Sequence, residues 1–145
     1  MIEILNTHKI HNIMENKSND ATSQRPEGDR ILNASLVEMN LNEFIKQIQS
    51  ETTWADSDRN SVTIFKSESM RIVLIGLHKN AELKPHIANG VISVQVLEGK
   101  IEFTAEQQNT QIEKGQMIAL QENITHSVKA LTESYLLLTL TMNNK

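Results

Sequence analysis

The chain has 145 residues, a formal net charge of -4 and no cysteine, which gives room for one domain with its own core and excludes disulfides and thiolate metal sites. Its 14 Lys and Arg and 18 Asp and Glu are scattered, and aromatics are 3% of the chain, so nucleic acid is excluded: no patch neutralises several phosphates and no platform stacks bases. No run approaches the roughly 20 apolar residues that span a bilayer and MIEILNTHKIHN lacks the basic start and apolar run of a signal peptide, so a soluble, cytoplasmic protein with no membrane partner is expected.

In chain order, residues 1–35 read as an N-terminal arm, partly disordered. MIEILNTHKI has apolar side chains to dock on something, but residues 12–30 carry almost none, and ordering them alone costs more entropy than burial returns. His8 and His11 sit three apart in this arm and read as solvated. The domain proper is expected over 36–145. Leu41, Phe44, Ile45 and Ile48 fall at i, i+3, i+4 and i+7, one face of a short helix at about 40–50, with Asn40 as cap and Glu43 completing a capping-box pattern. Arg59 follows an Asp-rich turn that neutralises it.

From residue 61 to about 142 every apolar run is short and rich in β-branched residues: SVTIFKS, MRIVLIGL, VISVQVLEG, KIEFTAEQ, TQIEKG, QMIALQ, THSVKAL and SYLLLTLTM. Turn signals separate them, and eight such strands predict a closed antiparallel sandwich or barrel. His78, after RIVLIGL, reads as a strand end, and Glu82 and Lys84 as a solvated edge. SYLLLTLTM is apolar on both faces, which predicts a sheet or subunit contact on each.

The stretches NAELKPHIANGVISVQVLEGKIEF and IEKGQMIALQENITHSV resemble the two conserved motifs of the cupin superfamily, small jelly-roll (double-stranded β-helix) barrels. His86 stands at the first histidine of motif one and Gly99 at its closing glycine. Gly115 opens motif two, and His126, eleven residues on, stands at that motif's histidine. The departures are Ala88 at the second histidine, Ile92 (Ser93 in the longer spacing) at the glutamate, Gln121 and Asn123 at the motif-two Pro and Gly, and Ala130 at its final Asn. In metal-binding cupins the ligands are the two histidines, the glutamate and the later histidine. The resemblance implies an all-β single cupin barrel in which PHIANGVISVQVLEG is a strand hairpin, and small cupins resembling this chain are often homodimers.

Strand alternation places Ile92, Val94 and Val96 on one face and Ser93 and Gln95 on the other. The apolar set belongs inside the barrel, so Ile92 puts hydrocarbon where a metal-binding cupin presents its carboxylate. A divalent ion needs at least three protein ligands even in an open site. His86 and His126 alone would hold such a metal weakly, and no tightly held cofactor is expected. The leading functional expectation is a barrel that binds a small polar molecule through His86 and His126, with Asn89 and Gln121 nearby. An alternative is a cupin enzyme of dioxygenase or isomerase type, using a non-standard metal set or one histidine as general base. It requires a third polar side chain beside the histidines. A third expectation is a dimerisation module with the arm as its interaction element.

Overall fold

A computed structural model describes residues 32–142. Most of the arm, with His8 and His11, lies outside the described residues. Leu32, within the range read as arm, is buried and its carbonyl accepts a hydrogen bond from the Lys66 amide at 3.1 Å.

Among the described residues there are two helices, α1 (Leu41–Ser50) and α2 (Thr52–Asp56), and nine strands: β1 (Arg59–Lys66), β2 (Met70–Leu77), β3 (Glu82–His86), β4 (Ile92–Glu98), β5 (Lys100–Ala105), β6 (Gln108–Glu113), β7 (Met117–Leu120), β8 (His126–Ala130) and β9 (Ser134–Thr141). They form a five-stranded antiparallel sheet in the order β1-β2-β9-β4-β7 and a four-stranded one in the order β3-β8-β5-β6. This is an all-β jelly roll, as the strand spacing predicts.

The core between the sheets follows from alternation. On β4, Ile92, Val94 and Val96 are at most 5% exposed, while Ser93 and Gln95 between them are only half-buried, as the parity argument requires. Val73 and Ile75 of β2, Phe103 of β5, Val128 of β8 and Leu136, Leu138 and Leu140 of β9 complete this layer. Near-continuous apolar runs such as RIVLIGL hide their parity, because both faces are apolar. The reason is a second cluster: Leu74 of β2 and Tyr135 and Leu137 of β9 face the opposite way and meet Ile48, Trp54, Phe44 and Ile45 of the helices. The helices therefore pack on β1 and β2 and reach β9 through the outward-facing Tyr135 and Leu137, which share their cluster.

Asn40 caps α1, its side-chain oxygen accepting from the Glu43 amide at 3.3 Å. The Glu43 side chain turns to Lys46 at 3.6 Å. One helix was expected and two are found. Glu51 breaks α1 with extended backbone, and α2 forms although TTWAD has two β-branched residues and poor helix propensity, because Trp54 is buried against β1, β2 and β9.

Two further differences concern the strand that carries His86. Nine strands stand where eight were expected, since ELKPH forms β3. Its Pro85 removes a ladder donor, which an edge strand tolerates, and β3 is an edge, paired only with β8. β3 and β4 are also not a hairpin. They lie in different sheets, and residues 87–91 cross from one to the other. The crossing is fixed by the Asn123 amide donating to Ala88 O at 2.9 Å and the Thr141 amide donating to Val91 O at 3.0 Å. Gly90 lies so close to the end of β9 that a Cβ there would sit 2.1 Å from Thr141 O.

Candidate functional site

β3 and β8 run antiparallel with Leu83 opposite Val128 and His86 opposite His126, an irregularity in β3 shifting the register between Leu83 and His86. Directly opposed residues on one face of a sheet have neighbouring side chains, and the two imidazole centroids are 4.3 Å apart, the rings tilted by 58°. On the next strand Phe103 lies nearly parallel to His126, with 5.5 Å between centroids and 12° between planes. His126 is 4% exposed; His86 is half-buried.

Both histidines line a cavity between the two sheets that opens to solvent. The other walls are hydrocarbon: Ile92 and Val94 of β4, Leu136, Leu138 and Leu140 of β9, and Ile75, Leu83, Ile87, Ala88, Phe103 and Val128. Ile87, 56% exposed, stands at the mouth. Ala88 and Ile92, at the positions of the second motif histidine and the glutamate, both line this wall, so the missing ligands are replaced by hydrocarbon facing the two imidazoles.

The rings are held the same way. His86 Nδ1 is 2.8 Å from the Lys84 carbonyl and His126 Nδ1 is 2.8 Å from the Ile124 carbonyl, each reaching two residues back along its own chain. Burial holds the His126 pKa below its ordinary 6.5; the hydrogen bond to Ile124 pulls it partly back up, and the neighbouring His86 ring lowers it further.

A resident divalent ion is the group that metal-binding cupins lead one to test here. Among the described residues no group of three His, Cys, Asp or Glu is arranged to hold one. Two neutral nitrogens with no carboxylate to offset the ion's charge, facing hydrocarbon, do not match the donor sets that bind divalent metals. The described residues do not fit the group.

Asn89 and Gln121 are exposed and neither lines the cavity. Asn89 lies on the crossing and Gln121 just past β7. His78 belongs elsewhere: it stacks on Trp54 at 3.6 Å between centroids and its Nε2 meets the Trp54 carbonyl at 2.8 Å, fastening α2 to the end of β2. Arg59 is neutralised by Asp58 at 2.8 Å and also donates to Glu82 O at 2.8 Å. Sequence reasoning missed Phe103, Leu83 and the β9 leucines as cavity walls. For Phe103 a signal exists, the alternation of Ile101 and Phe103 in KIEFTA; for the β9 leucines none does, since both faces of that strand are apolar.

No helix among the described residues is long and apolar enough to cross a membrane. No protein-family model matches the sequence, and neither does any curated protein. Solved structures do match. A cupin superfamily protein from Desulfitobacterium hafniense is similar with a TM-score of 0.59 and 13% identity, over 88% of this chain and 99% of that one. An RmlC-like cupin from Desulfovibrio desulfuricans is 26% identical with a TM-score of 0.55, over 59% of this chain and 84% of that one. Salicylate 1,2-dioxygenase from Pseudaminobacter salicylatoxidans gives a TM-score of 0.64 at 15% identity, over 70% of this chain but 34% of the enzyme. With two antiparallel sheets in jelly-roll order, motif glycines at 99 and 115 and paired histidines at 86 and 126, the chain has the fold of the cupin structures it resembles.

Proposed function

We propose that this cupin-fold protein binds a small, largely apolar molecule in its barrel without a resident metal, with His86 and His126 holding the one polar group that the molecule carries. The observation behind this is a cavity whose walls are hydrocarbon except for two adjoining imidazoles. A polar molecule, the ligand expected from the sequence, would leave its polar groups unpaired against Ile, Leu and Val, at a cost of about 1–3 kcal/mol each. An apolar body with a single polar end avoids that cost and gains from burial.

The test is calorimetric titration of the untagged protein with toluene and with phenol. Saturable binding of about one molecule per chain, lost when Leu138→Trp fills the cavity, is the expected result. No binding of either compound would overturn the reading.

The alternative expected from the sequence is a metal enzyme with a non-standard ligand set, which would need ligands beyond the two histidines. It is distinguished by elemental analysis. A full equivalent of iron, manganese, nickel or zinc retained through purification, and lost in His86→Ala, would establish it in place of the first.

A further inference from the structure

The two histidines have a defined hydrogen-bonding polarity. A backbone carbonyl only accepts, so the Nδ1 atoms facing the Lys84 and Ile124 carbonyls must carry the protons. In a neutral imidazole the remaining nitrogen then has a lone pair and no hydrogen. Among the described residues neither Nε2 has a protein partner. Both nitrogens belong to rings that line the cavity, and no acidic side chain among the described residues lines it. Burial also keeps His126 on the neutral side at pH 7.

The polar end of the barrel is therefore a pair of adjacent acceptors with no side-chain donor among the described residues that line the cavity. From this geometry we infer that the cavity selects molecules whose head group is a neutral hydrogen-bond donor, a hydroxyl on a hydrocarbon or aromatic body. This rests on the reading of the barrel as a binding cavity and adds the chemical class of its ligand. An ether or ketone of the same shape brings only lone pairs, which would face the two Nε2 lone pairs with no proton between them. A carboxylate meets the same two acceptors with a full negative charge, in a cavity lined by no cation. A hydroxyl donates a hydrogen bond to one Nε2. The opposed register and the 4.3 Å separation of the rings keep the second acceptor within the same neighbourhood.

The experiment is a panel titrated into the full chain at neutral pH by calorimetry: phenol, anisole, toluene and benzoate, compounds of similar body that differ in head group. Phenol is expected to bind about tenfold or more tighter than anisole, corresponding to about 1.4 kcal/mol, the size of one well-made hydrogen bond. Benzoate is expected to bind most weakly. In His86→Phe/His126→Phe the phenol-to-anisole ratio should fall to about one. Long-range proton–nitrogen NMR correlations on the unliganded wild type give a measurement independent of any variant, and should show Nδ1 protonated and Nε2 bare in both rings. Anisole binding as tightly as phenol, benzoate binding tightest with proton uptake, or protonated Nε2 atoms would each overturn the donor rule while leaving a binding cavity in place. Failure of every compound to bind would overturn the cavity reading beneath it.

Discussion

Replacing Ile92 by glutamate tests the placement of this residue opposite the histidines most directly. Ile92 is 3% exposed and is paired with Leu120 on one side and Leu140 on the other. Removing its side chain from the core forfeits about 1.5–3 kcal/mol of burial. The new carboxyl has no cation beside it and escapes the charge penalty by protonating. Starting from an ordinary pKa of about 4.3, remaining neutral at pH 7 costs about 4 kcal/mol. The total of about 5–7 kcal/mol is comparable with the whole stability of a small domain, about 5–15 kcal/mol. At pH 5 the protonation part shrinks to about 1 kcal/mol, so Ile92→Glu should recover about 3 kcal/mol on acidification. The sign follows from linkage: a carboxyl whose folded pKa is raised stabilises at low pH and loses that stability as pH rises. The variant should also respond to zinc or nickel, because the carboxylate completes a three-ligand set with His86 and His126. A metal at about 1,000 times its dissociation constant returns about 4 kcal/mol. Urea unfolding at both pH values, with and without metal, reads all of this. Wild-type stability at pH 7 with no metal response would refute the argument that Ile92 occupies the carboxylate position of a metal-binding cupin.

Further predictions concern other parts of the fold. The buried His126 has a lowered folded pKa, so the unfolded chain takes up its proton first: its contribution to stability is complete above pH 6.5, falls as pH drops from there towards the folded value, and changes no further below it. His126→Phe should abolish that component, and parallel acid-stability curves for the two proteins would contradict it. Gly99 and Gly115 both have positive φ, +95° and +86°, and alanine in that conformation costs about 1–2 kcal/mol. At Gly99 the Cβ would also meet Ser134 Oγ at 2.3 Å and Glu133 O at 2.4 Å, whereas at Gly115 nothing lies within 4 Å. Gly99→Ala should therefore be clearly the more damaging in denaturant titration, and equal losses would refute the steric argument. Trp54→Ala should cost about 3–5 kcal/mol, because Trp54 fills the layer between helices and sheet; a loss below about 1 kcal/mol would mean that the helices do not pack on the sheet.

The sequence alone was sufficient wherever a pattern had one reading. Asn40 and the Leu41, Phe44, Ile45 and Ile48 stripe define α1 because helical period and cap agree. In VISVQVLEG polar residues alternate with apolar ones, so the inner face of β4, and with it Ile92, was legible without coordinates. The spacing of Gly99, Gly115 and His126 was enough to place the fold. Tertiary structure decided the rest, for specific physical reasons. Strands apolar on both faces, RIVLIGL and SYLLLTLTM, carry no parity signal, so only the packing of α1 and α2 on one side shows which leucines line the cavity. The ELKPH strand exists because β8 supplies its partner at a sequence separation of 40 residues or more, a non-local pairing that no local propensity reports. That same pairing sets His86 opposite His126, and the carbonyls of Lys84 and Ile124 orient the two rings: the sequence names both histidines, but only the three-dimensional register makes them neighbours with the same bare nitrogen.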